Sequence, residues 1–259
     1  MFAELFEVSP AWSANFLLIL ARLSAALVVT PLFGARGVPP QTKIGLAVLL
    51  SLIVLPLQSE PLLVAPANLL VFASMVGSEV LVGLSIGVAI LLIFQTIEAA
   101  GALVGVQIGF GLGQVLDPLS GTQSGTFEQF YRIVVTLMFF AVNGHYLVIA
   151  GLMQTFEIVP PGTADLTLIA GDRVAPYFGA LVIVALRVAL PVMGALLLTD
   201  LILGLVGRTV PQMNVLVVGF PLKVGVGVLA LAASIPLATA LIGSVFRETL
   251  PGVNGFLVP

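Results

Sequence analysis

The stretch 69–97 reads LLVFASMVGSEVLVGLSIGVAILLIFQTI and carries one formal charge, Glu79, among its 29 residues. About 20 apolar residues are enough for a helix to cross a hydrocarbon layer about 30 Å thick. The stretch therefore predicts a membrane-spanning helix that is longer than the bilayer is thick, and tilt or partial protrusion is expected. The fold of this chain follows from burial in a membrane and not from a water-soluble core.

Five further apolar runs lie on either side of this stretch. They cover residues 11–31, 44–57, 133–156, 174–206 and 215–246. The run 44–57 is short for a span, which indicates a segment packed inside protein. The six runs together predict an all-α, polytopic membrane protein with no separate soluble domain.

The composition supports a membrane protein and excludes several other classes. Of 259 residues, 59% are apolar, against roughly 45–50% in soluble domains, and 8% are charged, against about 25%. The net charge of −3 provides no basic excess for binding a nucleic acid. The absence of cysteine excludes thiol catalysis, and the single histidine, His145, argues against a histidine-rich metal site. We therefore expect no cofactor and no metal.

Charged side chains within the apolar runs are the first candidates for function. They are Arg22, Glu79, Arg187, Asp200 and Lys223, with Glu98 and Arg208 just beyond the end of a run. A charge inside a membrane costs roughly 3 kcal/mol, so each side chain is expected to be paired or hydrated. Ion pairs between helices or between subunits are the expected use. The alternative is a proton-coupled transporter with Glu79 and Asp200 as relays and His145 as a group that titrates near neutral pH.

Glycines at every fourth position mark the segment that follows the stretch 69–97. They are Gly101, Gly105, Gly109 and Gly113. This spacing, also present at Gly83 and Gly87, allows two helix backbones to approach closely in a membrane. Each glycine also costs about 1 kcal/mol in helix propensity, so the segment is alternatively a partly helical element that is easily remodelled.

Catalytic motifs are not supported by their sequence context. The string GFGLG at 109–113 is not a phosphate loop, because no strand precedes it and no lysine follows it. Ser124 stands in GTQSG and not in the GxSxG of a nucleophile elbow. The sequence therefore predicts a protein that is not an enzyme.

Several longer strings occur in a fixed order along the chain. They are QIGFG at 107–111, LDPLSGTQS at 116–124, NGH at 143–145, ALP at 189–191, GRTVPQMN at 207–214 and GFPLK at 219–223. In this order and spacing they resemble the FliR family of type III secretion export-apparatus proteins, which also includes injectisome T subunits. The likeness extends over nearly the whole chain, from about Arg22 to Arg247.

The resemblance implies a non-enzymatic subunit of an export gate in the bacterial inner membrane, at the flagellar basal body. It implies assembly with FliP and FliQ in a helical ring, with FlhB around the ring, FlhA nearby, membrane lipid as surroundings and exported flagellar proteins as substrates. It also implies helices arranged as hairpins, with a FliP-like part over residues 1–160 followed by a FliQ-like hairpin over residues 173–247.

The family's glycine-rich loop is similar to residues 109–125 and is expected to lie in the pore as a plug. The residues assigned to this plug are Gly109, Phe110, Gly111, Leu112, Gly113, Gln114, Asp117 and Pro118. A glycine-rich backbone with few charges repacks at small cost, which is compatible with a seal that yields to an unfolded polypeptide.

The sequence thus predicts a structural subunit of the flagellar protein export gate that helps to close its pore. The residues expected in polar contacts between helices or subunits are Arg22, Glu79, Arg187, Asp200, Arg208 and Lys223. An injectisome T subunit is the alternative within the family. A proton-coupled secondary transporter is the alternative from another class.

Overall fold

A computed structural model describes residues 10–31, 33, 37–58, 68–109, 125–164, 171–212 and 214–252 of the chain. Seven α-helices account for most of this part. They are α1 (Pro10–Val29), α2 (Pro40–Val54, continued by a 3-10 turn, Leu55–Leu57), α3 (Leu69–Ile108), α4 (Thr126–Ala141), α5 (Gly144–Ile158), α6 (Gly171–Thr209) and α7 (Val215–Gly252). No strand occurs among the described residues, and the predicted all-α class is confirmed.

The lengths of the helices confirm a polytopic membrane protein. Within the described part, five helices are long and apolar enough to cross a bilayer, and α4 with α5 make a sixth if together they form one broken span. At 40 residues, α3 is about 60 Å long, twice the thickness of a hydrocarbon core. It continues past the stretch 69–97 through Gly101 and Gly105, so both of these glycines are helical.

Local sequence explains where several helices begin. Pro40 starts α2, where its fixed φ suits the first helical turn and its missing N–H is not needed. At the start of α4, Glu128 accepts a hydrogen bond from the backbone N–H of Gly125 at 3.2 Å, and its negative charge suits a helix N-terminus. Asn214 accepts a hydrogen bond from the backbone N–H of Val217 at 3.3 Å and caps the start of α7.

The apolar run 133–156 is not one helix. Asn143 divides it into α4 and α5, and its backbone lies in the left-handed region, with φ 55° and ψ 36°. Asparagine is one of the few residues besides glycine that adopt this conformation routinely. The hydropathy of the sequence predicts this run as one segment, and the Asn143-Gly144 step is the physical reason for the difference.

Close packing divides the chain into two units, each with its own core. Among the described residues, those within 1–92, 143–175 and 247–259 belong to the first unit, and those within 93–142 and 176–246 belong to the second. The division into a FliP-like and a FliQ-like part concerns relatedness to other proteins and not packing within this chain. It therefore stays a prediction. Residues 165–170, within the predicted join between those parts, lie outside the described residues.

In the first unit, α3 approaches α1 at two glycines. A Cβ atom at Gly83 would lie 2.2 Å from the backbone oxygen of Arg22, and one at Gly87 would lie 2.8 Å from the backbone oxygen of Ala26. Only glycine allows two helices to come this close, as in other small-xxx-small contacts in membranes. α2 also packs against α1.

In the second unit, three phenylalanines form the centre of the core. Phe94 of α3, Phe139 of α4 and Phe246 of α7 are almost fully buried, and their ring centres lie 5.3 to 5.6 Å apart in tilted or edge-to-face pairs. This is the arrangement that aromatic rings prefer. Gly101 of α3 faces α4, because a Cβ atom there would lie 2.7 Å from the backbone oxygen of Phe127.

Candidate functional site

A buried ion pair joins the helices of the first unit. Arg22 Nε on α1 donates to Glu79 Oε2 on α3 at 2.6 Å, and both side chains are fully buried. Arg22 Nη1 donates to the backbone oxygen of Thr155 on α5 at 3.0 Å, and the backbone N–H of Gly162 donates to Glu79 Oε1 at 2.8 Å. The guanidinium carbon lies 4.3 Å from the centre of the Phe156 ring. The pair therefore ties α1, α3, α5 and the turn after α5 together.

The Arg22–Glu79 pair affects stability mainly because loss of one side chain would leave the opposite charge buried. Burial costs each ion several kcal/mol of hydration, and the mutual attraction offsets this cost only with good geometry. Arg22 Nη2 has no hydrogen-bond partner in the described part of the chain, although the Phe156 ring gives the cation a favourable neighbour. Removal of either charge would leave the other buried and uncompensated.

A second polar cluster joins three helices of the second unit. Gln107 Nε2, near the end of α3, donates to Asp200 Oδ2 on α6 at 3.1 Å. Lys223 Nζ on α7 lies 2.5 Å from Asp200 Oδ1, so each carboxylate oxygen contacts a different helix. The side chains of Asp200 and Lys223 are 35% and 24% exposed, so the cluster lies near the surface of the unit. It fastens the end of α3 to α6 and α7.

A third pair lies on the outside of the second unit. Arg132 on α4 donates from Nε and Nη2 to the two carboxylate oxygens of Glu98 on α3, at 2.9 and 2.8 Å. This two-pronged geometry is the one that best fits a guanidinium to a carboxylate. The side chain of Arg132 is half exposed, so water or lipid headgroups can share its charge.

Two predicted arginines stand apart from these clusters. Arg187 and Arg208 are exposed on α6, and neither makes a hydrogen bond or an ion pair within the residues that the structure describes. They are 21 residues apart, so they lie on nearly the same face of the helix, together with Gly194 and Leu201. The structure thus brings Arg22 to Glu79 and Asp200 to Lys223, and it leaves two cations on an apolar face.

The predicted plug is described only at its first residue. Gly109 ends α3 with φ 110°, and its backbone N–H donates to the backbone oxygens of Gly105 at 3.2 Å and Val106 at 3.1 Å. A positive φ of this size favours glycine, which explains why the helix stops here. The other assigned residues lie outside the described residues: Phe110, Gly111, Leu112, Gly113, Gln114, Asp117 and Pro118.

The acidic side chains and the one histidine do not form a metal site in the part of the chain that the structure describes. No group of three or more histidine, aspartate or glutamate side chains that could hold a metal ion occurs there. His145 lies at the start of α5, where its ring centre is 4.4 Å from that of Tyr146. The charged side chains described above mainly form ion pairs and hydrogen bonds between helices, so their role in this structure is to hold helices together.

Three of the residues that complete these clusters carry no functional prediction from the sequence. Gln107, Arg132 and Thr155 have no role assigned to them from pattern alone. Gln107 offers a signal in retrospect, because an amide side chain in an apolar run also needs a partner. Arg132 offers a similar signal as a charge just before the run 133–156, whereas Thr155 offers none, because it contacts Arg22 through its backbone oxygen.

Comparison with known proteins identifies relatives over nearly the whole chain. The family described as bacterial export proteins, family 1, matches residues 13–249. The flagellar biosynthetic protein FliR of Bacillus subtilis (strain 168) is 34% identical over 248 residues, which cover 93% of this chain and 94% of that protein. FliR of Escherichia coli (strain K12) is 28% identical over 238 residues, which cover 92% and 90%.

A more distant relative comes from a secretion system. The secretion system apparatus protein SsaT of Salmonella typhimurium is 25% identical over 168 residues, which cover 63% of this chain and 64% of that protein. These relatives are named for flagellar biosynthesis or for secretion, and none of the three names denotes an enzyme.

Proposed function

This chain belongs to the bacterial export proteins, family 1, and we propose that it is a structural subunit of the flagellar type III protein export gate. The family match over residues 13–249 carries the proposal, and the identity to the FliR proteins favours the flagellar form of the apparatus. Five apolar helices suit a multi-pass subunit. The proposed location is the bacterial inner membrane at the flagellar basal body.

The proposed partners are FliP and FliQ within the gate, with FlhB and FlhA beside it and exported flagellar proteins as substrates. Two exposed cations on α6 support an assembly, because an unpaired charge in a membrane costs roughly 3 kcal/mol. Carboxylates of neighbouring subunits would neutralise Arg187 and Arg208. The FliP-like part at 1–160 and the FliQ-like part at 173–247 are proposed to pack against their counterparts in the ring.

Assembly can be tested by expressing the chain alone and together with FliP and FliQ. Expressed alone, it should be unstable or aggregated, because the exposed apolar and charged surfaces of α6 lack partners. With both subunits present, it should be extracted in mild detergent as one complex, whose mass gives the composition. A well-behaved monomer that gains no protease resistance from FliP and FliQ would contradict the proposal.

We also propose that the segment beginning at Gly109 helps to close the export channel. The chain carries no aspartate, glutamate, lysine or arginine between Glu98 and Asp117, so apolar side chains such as Phe110 and Leu112 can exclude water. The residues assigned to closure are Gly109, Phe110, Gly111, Leu112, Gly113, Gln114, Asp117 and Pro118.

A shortened segment tests this closure directly. A variant that lacks residues 111–114 should still assemble, because α3 and α4 keep their packing surfaces at Gly101 and Phe127. It should nevertheless conduct ions across a bilayer and sensitise growing cells to small toxic solutes. Equal conductance in the assembled parent and variant would show that the segment does not close the channel.

An injectisome T subunit is the second candidate, and the similarity to SsaT is the observation in its favour. The two candidates differ in the substrates that the complex exports. Expression in a strain that lacks its own FliR should restore motility if the flagellar assignment is correct. The family match disfavours the proton-coupled transporter, and the ion pairs give Glu79 and Asp200 a structural use.

A further inference from the structure

The last turn of α3 is held on two sides by α6 and α7 of the second unit. Ile108 is 1% exposed, and a Cβ atom at Gly227 of α7 would lie 3.0 Å from its Cγ1 atom and 2.7 Å from its Cδ1 atom. Leu196 of α6, which is fully buried, lies at the same position. The missing side chain at Gly227 therefore makes the gap that Ile108 fills.

A polar contact completes this docking. Gln107 donates to Asp200, and Asp200 in turn holds Lys223. Lys223 and Gly227 are four residues apart on α7 and so lie on the same face of that helix.

The contact between α3 and α7 extends to the C-terminal end of α3. A Cβ atom at Gly109 would lie 3.6 Å from the Phe220 ring, so the backbone here lies against α7 without a side chain of its own. The φ of 110° at Gly109 takes the chain out of the helix immediately after the docked turn. Gln107, Ile108 and Gly109 thus each contact α6 or α7.

We infer that the turn 105–109 is a fixed anchor, and that Gln107, Asp200 and Gly227 are positioning residues that hold the start of the channel-closing segment. The inference rests on the proposed function, because an anchor matters only if the segment that follows closes the channel. The anchor stays docked on α6 and α7 while protein is exported. It acts by setting where the segment starts and not by touching the exported chain.

A disulfide tests whether the anchor stays docked. The chain has no cysteine, so the pair Ile108→Cys and Gly227→Cys can be introduced alone. Ile108 Cγ1 is one bond from its Cβ atom, and Ile108 Cβ lies farther from the Cβ position at Gly227 than Leu196 Cδ2 does at 3.6 Å. The two Cβ atoms therefore lie within the range of about 3.5–4.5 Å that disulfides span. Oxidation of the assembled gate in membranes should form this bridge and leave secretion at the level of the reduced protein. Loss of secretion on oxidation, restored by reduction, would overturn the inference.

The matched control pairs Ile108→Cys with Gly225→Cys. A Cβ atom at Gly225 has no neighbouring atom within 4 Å, so this pair should not form a bridge. Equal cross-linking of the two pairs would mean that α3 is not docked at Gly227, which also overturns the inference.

A second variant tests the polar contact without disturbing the ion pair. Gln107→Leu removes the donor and leaves Asp200 with Lys223. Loss of a hydrogen bond to a charged group shifts a docked–undocked equilibrium by roughly tenfold or more. The assembled variant should therefore leak small solutes above the parent level. Gln95→Leu is the control, because Gln95 is exposed on the same helix. An assembled Gln107→Leu gate that leaks no more than the Gln95→Leu gate would refute the anchor.

The variant that lacks residues 111–114 separates failure of the anchor from failure of the proposed function. If that variant leaks and Gln107→Leu does not, the closing function stands and the anchor is wrong. If the shortened variant assembles and does not leak, the closing function is wrong, and the anchor has no role in it.

Discussion

Arg22 and Glu79 form a fully buried ion pair, whereas Arg132 and Glu98 form a pair at the surface of their unit. This difference in burial determines how much each arginine contributes to the stability of the protein. An exposed pair typically contributes about 0–1 kcal/mol, because water screens both charges. Breaking a buried pair typically costs about 3–5 kcal/mol, because the remaining charge has no counter-charge and little hydration.

We predict that Arg22→Met lowers the stability of the assembled protein by about 3–5 kcal/mol. The methionine would fill much of the volume, but Glu79 would keep only the hydrogen bond from Gly162. Arg132→Met is the matched control and should cost about 1 kcal/mol or less. Thermal unfolding of the purified complexes measures both. Equal melting temperatures for the two variants would show that the buried pair is not important for stability.

Asp200→Asn should weaken assembly without producing a pH-dependent transport defect. The amide can still bond to Gln107 or Lys223, but the attraction between the carboxylate and the ammonium is lost. The yield of complex in detergent and the secretion rate at several values of external pH are the two measurements. Normal assembly with secretion uncoupled from the proton gradient would instead indicate a proton relay.

Among the elements, α3 shows how one helix meets different neighbours along its length. Gly83 and Gly87 lie against α1, Gly101 lies against α4, and Gly109 ends the helix. Gly105 is looser, since the atoms nearest to its Cβ position are 3.8 Å away on Phe127. The four-residue spacing thus serves close packing at some positions and helix termination at another.

Gly83→Ala should destabilise the first unit by about 1–3 kcal/mol, as overpacking typically does. The added methyl group would lie 2.2 Å from the backbone oxygen of Arg22, so α1 and α3 would have to separate. Gly77→Ala on the same helix is the control. Nothing lies within 4 Å of its Cβ position, and alanine favours the helix by about 1 kcal/mol over glycine. Protease resistance and melting temperature should fall for the first variant only.

For the whole molecule, the exposed side chains of α6 and α7 are the main feature that one copy does not explain. They include Leu190, Leu197, Leu201, Val217 and Leu229. Lipid tails can cover apolar side chains, but they cannot neutralise Arg187. The need for a partner therefore comes from the charge on this surface and not from its hydrophobicity, and the co-expression experiment tests that need.

The sequence by itself determined the class of protein and the approximate position of most helices. Runs of apolar residues longer than a bilayer is thick form helices in a membrane because only internal hydrogen bonds can satisfy the backbone there. It also identified Arg22, Glu79, Asp200 and Lys223 as charges that need partners. Each of these conclusions depends on local properties, which are hydropathy and the cost of burying a charge.

The tertiary structure alone decided which partner each residue has. Arg22 and Glu79 are 57 residues apart, and Gln107 and Asp200 are 93 residues apart. No periodicity relates positions so distant, because the pairing depends on which helix faces meet. The same holds for Gly83, whose four-residue spacing from Gly87 permits a close approach without saying which helix approaches, and for Gly227, which meets Ile108 119 residues away. Helix contacts are set by the packing of whole surfaces, and a local pattern contains only one of the two surfaces.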